Sequence, residues 1–303
     1  MNPTTIEWVR NPDGSQGFTS NPFTGCLGPK GDGIHCPYCY ANRLANGRLR
    51  QSYLANENVA DHEFMTYSRR IECMADPFYP RFWPERLKDF VTAPKGIFVC
   101  NMSDWCAPWL PMAWKKALMA AIRRNPQHRI YLLTHQPQEL PRWSPFPGNS
   151  FVGVTVTNKT EYLRALAYLN AIEARVKYIS FEPLLEPIPL LFPCAFDQND
   201  IDWVIIGAMT GRNADLFRLA RQYPDLAPAF DGKTRTLQPN RNWVADIVNA
   251  ADKAQVPVFL KDNLMPLFPE ALRDSESAPP LFFTPPSRLS LTNGWDYRQE
   301  MPE

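Results

Sequence analysis

Three cysteines fall within fourteen residues, in the order Cys26-x9-Cys36-x2-Cys39, and this is the densest metal-ligating chemistry in the chain. Three thiolates so spaced can hold three irons of a four-iron cluster and leave the fourth iron open to a chelating small molecule. Zinc is the competing occupant, because a closed zinc site takes four ligands, usually as two close pairs. Only one Cys-x2-Cys pair is present, and a fourth ligand would have to come from His35, His62, Cys73 or a distant cysteine. Spacing alone leaves both metals open. Gly25, Gly28, Gly31 and Gly33 crowd the same stretch, as a loop that wraps a metal requires. The other cysteines are Cys73, Cys100, Cys106 and Cys194. An odd total of seven argues for metal binding or buried thiols rather than a disulfide framework, and no spacing supports a second cluster.

The chain has 303 residues and 45% hydrophobic content, enough for one large core or two modest ones. It contains no 18-residue apolar run and no charged-then-apolar leader, so the expectation is a cytoplasmic protein with no membrane partner. Lys plus Arg (32) nearly balances Asp plus Glu (31), which excludes nucleic-acid binding through bulk charge and leaves room for a local basic groove. Thirty-one prolines together with 13% aromatic content indicate elaborate ordered loops, since disordered chains are poor in aromatics.

Elements that could position the cysteines recur from Lys95 onward. Short apolar, β-branched runs at 97–100, 130–133, 151–156, 176–179, 203–206 and 257–260 suit strands buried on both faces. Between them, 112–124, 161–173 and 242–254 carry apolar residues at spacings of three and four and are predicted helices. With a further short strand near Ile6–Val9 or Phe23, the pattern predicts an α/β fold, a parallel (β/α) partial barrel of about six to seven strands. A doubly wound open sheet is the alternative, and no Gly-rich phosphate loop supports it. The predicted organisation is a barrel over 1–265, carrying a lid-like basic insertion at 208–242, followed by a proline-rich extension over 266–303. Polar residues follow every strand run: Ser103 and Asp104, Thr134 and His135, Thr157 and Asn158, Glu182, Thr210, Lys261 and Asp262. In parallel barrels the active site lies at that edge. Helix capping competes as the explanation for Thr157–Asn158 and for Asp262.

The run Cys36-Pro37-Tyr38-Cys39-Tyr40-Ala41 resembles the second half of the radical S-adenosylmethionine (SAM) cluster motif, with Tyr38 at its aromatic position. The first gap is nine residues rather than the usual three. Beyond the loop, the chain resembles a phage-associated family of three-cysteine-motif proteins of unassigned function. The matching segments include Ile6-Glu7-Trp8, Asn21–Cys26, Met102-Ser103-Asp104, Leu132-Leu133-Thr134, Val152–Val156, Ser180–Leu185 and Val256–Lys261. Three departures sit at the presumed mouth: His135 where the family has Lys, Ala208-Met209-Thr210-Gly211 in place of Gly-Glu-Ser-Gly, and Asp262-Asn263 after Lys261. They bear on the substrate rather than the cofactor.

The resemblance implies a [4Fe-4S] cluster on Cys26, Cys36 and Cys39, with SAM at the open iron and a reductase such as flavodoxin or ferredoxin as electron source. It places Met102, Ser103 and Asp104 where relatives bind the methionyl amine. Thr155, Thr157 and Asn158 become candidates for the ribose hydroxyls and carboxylate, Glu182 for the ribose, and Tyr38 for the adenine. Glu182 reads equally well as a buried acid paired to a Lys or Arg. Cys100 and Cys106 are candidate hydrogen-atom donors, or buried small hydrophobes. His135, Arg212 and Lys261 are candidate substrate contacts. Trp105, Trp109 and Trp114 near the site, with the basic insertion, suit a nucleobase in DNA or RNA, although all three tryptophans also suit a core. A radical enzyme acting on a peptide or metabolite and a non-catalytic zinc module are the other readings.

Overall fold

The computed structural model describes residues 1–61, 66–190, 196, 200–230, 235–268, 281–284 and 296–302. Cys194, Lys233 and most of the 266–303 extension lie outside the described residues. The chain divides into two compact units, one of residues 1–154 with 172–175 and the other of 155–171 with 176–303.

The first unit runs through β1 (Asn2–Pro3), β2 (Phe18–Ser20), β3 (Phe23–Thr24), α1 (Tyr40–Asn46), α2 (Arg50–Leu54), α3 (Tyr67–Ala75), β4 (Arg81–Phe82), β5 (Gly96–Val99), α4 (Met112–Arg124), β6 (Arg129–Thr134) and β7 (Ser150–Thr155). Its sheet has the order β1-β2-β5-β6-β7, with β2 to β7 parallel and β1 antiparallel at the edge. The first parallel strand is Phe18–Ser20, whereas the sequence suggested Ile6–Val9 or Phe23. Residues 6–9 turn instead, because Trp8 buries its ring against Phe98 (4.8 Å) and Tyr131 (5.6 Å). Phe23–Thr24 pairs with β4 outside the main sheet. Helix α4 spans the stretch its apolar spacing predicts, with Leu118, Met119, Ala121 and Ile122 buried.

The second unit contains α5 (Lys159–Leu169), β8 (Val176–Phe181), β9 (Trp203–Ile206), β10 (Met209–Thr210), α6 (Asn213–Gln222), β11 (Ala227–Phe230), β12 (Arg235–Gln238), α7 (Arg241–Lys253), β13 (Val258–Leu260), β14 (Phe283–Thr284) and β15 (Asp296–Tyr297). Strands β8, β9 and β13 are parallel neighbours with every residue buried. The architecture is therefore α/β with mostly parallel strands, as expected of a partial barrel. Helix α5 starts two residues earlier than its apolar spacing indicated, because Asn158 caps it by accepting from Glu161 N (3.0 Å). The 208–242 segment forms an antiparallel sheet of its own, β10-β12-β11, beside α6. From the C-terminal extension, Arg298 and Glu300 exchange backbone hydrogen bonds with Leu260 and Val258, which occupies the free edge of β13. Among the described residues no helix is long and apolar enough to cross a membrane.

One buried cation organises the segment between α2 and β4. Arg81 is fully buried, and its guanidinium donates to the carbonyls of Asn56 (3.0 Å), Asp76 (2.7 Å), Tyr79 (2.8 Å) and Met74 (2.7 Å). Burial holds it below the usual arginine range, and the four carbonyls replace its water. Arg81→Met keeps the apolar stem and strips four buried acceptors of their donor. Urea unfolding should show a loss of at least about 3 kcal/mol; a loss under about 1 kcal/mol would mean the carbonyls find other partners.

Candidate functional site

The three-cysteine loop is fastened to the C-terminal ends of β5 and β6. Gly25 N donates to Met102 O (2.9 Å), and Ser103 Oγ donates back to Gly25 O (2.6 Å). Cys26 N donates to Phe78 O (2.9 Å), and Gln136 Nε2 reaches Pro29 O (2.8 Å). Both Gly25 and Gly28 have left-handed backbone, with φ of 84° and 81°. A Cβ on Gly28 would stand 1.9 Å from Ile34 O, and one on Gly25 would stand 2.5 Å from Phe78 O. Only glycine fits either place. Trp109 covers Gly31.

All three thiols lie on this loop, and Cys26 feels the charge of the other two. Burial pushes the Cys26 thiol well up from its ordinary value, and the nearby Asp104, Cys39 and Cys36 push it further. Burial likewise raises Cys39. Two sulfurs accept backbone donors, Cys26 from Gly28 N (3.2 Å) and Cys39 from Asn42 N (3.3 Å), the latter bond capping α1. Cys26 and Cys39 pack on a small apolar cluster of Ala41, Ala45, Tyr53, Phe78 and Met102. Cys36 and Tyr38 are half-buried. None of the six described cysteines is in a disulfide. Beside the loop, the His35 ring packs edge-on to Phe78 (5.1 Å), and its buried Nδ1 has no hydrogen-bond partner among the described residues.

Asp104 is 7% exposed, and three donors of its own chain surround it. Oδ1 accepts from Thr134 Oγ1 (2.6 Å) and Cys106 N (3.1 Å), and Oδ2 accepts from His135 N (2.8 Å). Burial raises this carboxyl above the usual carboxylate range, and its hydrogen bonds offset only part of the rise. Its geometry is that of a latch between the β5 turn and the end of β6, with little oxygen surface left for a ligand. Met102 is buried, with its N–H on Asn21 Oδ1 (2.9 Å). Cys100 and Cys106 are fully enclosed, and burial raises both thiols. Cys100 has φ of 60°, uncommon for any residue but glycine. Trp105 is a core side chain packed against Trp143 and Phe146, and the partly buried Trp114 stacks on Phe82 at 5.2 Å.

In the second unit, Thr155 is buried at the end of β7. Thr157 donates through N (2.7 Å) and Oγ1 (2.8 Å) to Glu161 Oε2, and Asn158 caps α5, so helix capping occupies both. Glu182 forms an ion pair with Lys261, both side chains largely withdrawn from solvent, and Gly207 packs closely on the pair. Arg212 is exposed and pairs with Asp215 at 3.0 Å. The sequence reading missed Arg81, Gln136, Asn21 and the buried Lys115, whose Nζ donates to Ala107 O (3.0 Å). Asn21 falls in a matching segment without being singled out, and for Arg81 and Lys115 the available signal is a polar residue among apolar and aromatic neighbours.

The latch has a testable energy. Asp104→Asn turns one acceptor oxygen into a donor that faces donors, at a cost of about 2 kcal/mol. In a double-mutant cycle with Thr134→Val the two losses should couple by at least about 1 kcal/mol. Additive losses in urea unfolding would show that the two side chains act independently.

Comparison with solved structures gives weak likenesses. A spore photoproduct lyase complexed with dinucleoside spore photoproduct superposes with a TM-score of 0.47 at 9% identity, covering 79% of this chain and 75% of that one. A single-site mutant of the lyase gives 0.47 at 10% identity over 86% and 81% of the two chains. No curated protein matches significantly. A family model does match, over residues 3–220, and its description is "Protein of unknown function (DUF5131)". That span holds all three clustered cysteines and the turns that fasten them, and the chain belongs to this family.

Proposed function

We propose that this protein is a radical SAM enzyme whose substrate is a nucleobase in DNA or RNA. The observation that carries the cofactor half is the gathering of Cys26, Cys36 and Cys39 on a loop sewn to the ends of β5 and β6. The donor set fits an iron–sulfur cluster. It is all thiol, the soft ligand class for such sites, and backbone N–H groups already point at two of the sulfurs. A cation reverses the high proton affinity that burial gives these thiols. When bound, a four-iron cluster with an open iron supplies the electron and coordination site that cleave SAM to a 5′-deoxyadenosyl radical, which takes a hydrogen from the substrate. The chain's residues hold and enclose this chemistry. Cys26, Cys36 and Cys39 ligate, Tyr38 and Ser103 border the loop, and Met102 excludes water on its inner side. Asp104 acts by positioning the Met102–Ser103 turn. Glu182 and Lys261 hold each other as an ion pair in the second unit, with Glu182 assigned to the cofactor, and Lys261, His135 and Arg212 are assigned to substrate contacts. A flavodoxin- or ferredoxin-like reductase supplies the electron.

His35 favours a second reading, a zinc site of three cysteines and one histidine, because its buried Nδ1 lacks a partner. A single zinc needs every donor within about 2.0–2.3 Å of one point. Among the described residues no three His, Cys, Asp or Glu side chains form a group that could hold a metal ion, so either occupant would have to draw the sulfurs together.

Anaerobic reconstitution should give brown protein with about four irons and four sulfides per chain. Once reduced with dithionite, it should convert SAM to 5′-deoxyadenosine and methionine. Cys36→Ala should lose iron and colour, and Cys73→Ala, outside the loop, should keep both. Stoichiometric zinc with no visible absorption, lost in His35→Gln, would replace the radical reading with the zinc one.

The nucleobase half rests on the basic 208–242 segment. If two or three of its cations contact phosphates of a single strand, log affinity should fall against log salt with a slope of roughly −1.4 to −2. Replacing exposed Arg218 and Arg221 together with Gln should flatten that slope in anisotropy titrations. An unchanged slope would remove the segment from the substrate path.

A further inference from the structure

Two phenylalanines of the second unit stand in water. Phe217 on α6 is 66% exposed and Phe230 at the end of β11 is 54% exposed. Burying a phenylalanine is among the larger gains available to a fold, so leaving two beside each other out of the core is notable. They border one open cleft of about 170 Å³, lined by Asn213, Leu216 and Phe217 from α6 and by Phe230, Arg235 and Leu237 from the hairpin strands. Leu216 and Leu237 are buried and supply apolar surface there. The Arg235 guanidinium lies over the Phe230 ring, 5.0 Å from its centroid.

Charge narrows the choice of occupant. The 208–242 segment holds six cations (Arg212, Arg218, Arg221, Lys233, Arg235 and Arg241) against three acids (Asp215, Asp225 and Asp231), in a chain whose total is +1. Arg221 is exposed one helical turn beyond Phe217, on the same side of α6 as the cleft. The site thus offers aromatic faces at its border and fixed positive charge around them. At about 170 Å³ the cleft is smaller than the roughly 300–1,000 Å³ of enclosed small-ligand sites, so it suits one planar ring laid against its rim rather than a whole engulfed ligand. An acidic peptide would answer the charge and leave both rings uncovered. A lipid surface would want a continuous apolar face rather than a cleft. Stacking rings with interleaved cations are the features that hold unpaired bases and their phosphates.

We propose that this cleft seats an unpaired nucleobase of a single-stranded nucleic acid, stacked against Phe230 and Phe217, with Arg235 and Arg221 on the flanking phosphates. The proposal deepens the substrate half of the functional reading and rests on it for the class of ligand only. The geometry belongs to α6 and the β11–β12 hairpin, apart from the cysteine loop.

The test is fluorescence anisotropy with the full, anaerobically reconstituted chain, using a labelled oligothymidylate and an abasic strand of equal length and charge. The wild type should bind the base-bearing strand at least about 5-fold more tightly than the abasic one. Phe230→Ala should weaken the base-bearing strand by about 5-fold to about 150-fold and leave the abasic strand nearly unchanged, while Phe230→Tyr keeps the ring and the affinity. Arg235→Gln should weaken both strands. Should Phe230→Ala unfold, Phe217→Ala reads the same difference. Equal binding of the two strands by the wild type would overturn the proposal, as would an equal loss for both in a folded Phe230→Ala or displacement of the oligonucleotide by an acidic peptide at the same concentration. Iron content measured on the same samples separates the two claims. Base-dependent binding by a chain that holds no cluster keeps this site and removes the radical enzyme, and a cluster without base-dependent binding does the reverse.

Discussion

Irregular backbone can be buried only if its N–H and C=O groups find partners away from water. Around the cysteine loop, strands and helices cannot supply them, and side chains do so instead. Asp104 takes the N–H groups of Cys106 and His135. Arg81 takes four carbonyls between residues 56 and 79, and Lys115 takes Ala107 O. Asn21, Ser103 and Gln136 supply further single bonds. Each charged group is placed where backbone of the complementary polarity is left over, cations on carbonyls and the acid on amides. This is how Arg81, Asp104 and Lys115 stay buried with backbone partners. The same bonds that satisfy the charges also tie the turns to one another.

Much of this architecture was legible as periodicity. The runs of β-branched residues at 130–133, 151–156 and 203–206 became β6, β7 and β9 to within two residues, because a strand buried on both faces leaves an unbroken apolar signature. Strand β2 escaped notice because Phe18-Thr19-Ser20 is short and largely polar, and its place is set by register with Ile97–Val99 nearly eighty residues later. The pairing of residues 298–300 with β13 is equally non-local. The hairpin β11–β12 was read only as an insertion, since Pro228 and the exposed pattern of Ala227–Phe230 give no alternation.

The site divides along the same line. The cysteines stood out as a rare residue type at short spacing, and all three lie on one loop. The roles of Asp104, Thr157 and Asn158 were not legible, because a polar residue after a strand looks the same whether it binds a ligand, caps a helix or latches two turns. Geometry separates them: Thr157 and Asn158 belong to the start of α5, and Asp104 is filled by three donors. Glu182 fits the alternative reading, an acid paired with a lysine.

The latch and the thiols are electrostatically linked, and this sets a direction for the chemistry. Asp104 is the largest charge contribution to the Cys26 thiol, raising its proton affinity beyond the effect of burial. A thiol so placed is a poor nucleophile and a poor target for oxidants, since both reactions go through the thiolate. The same negative carboxylate lowers the energy of a cation brought near the sulfurs. Under the proposed function, burial and Asp104 together would protect the sulfurs while they are protonated and favour them as ligands once a metal displaced the proton. A loop built to display a reactive cysteine would want the opposite, a neighbouring cation and an open face. The electrostatics beside Cys26 thus bear on what the loop is for as well as on how it is held.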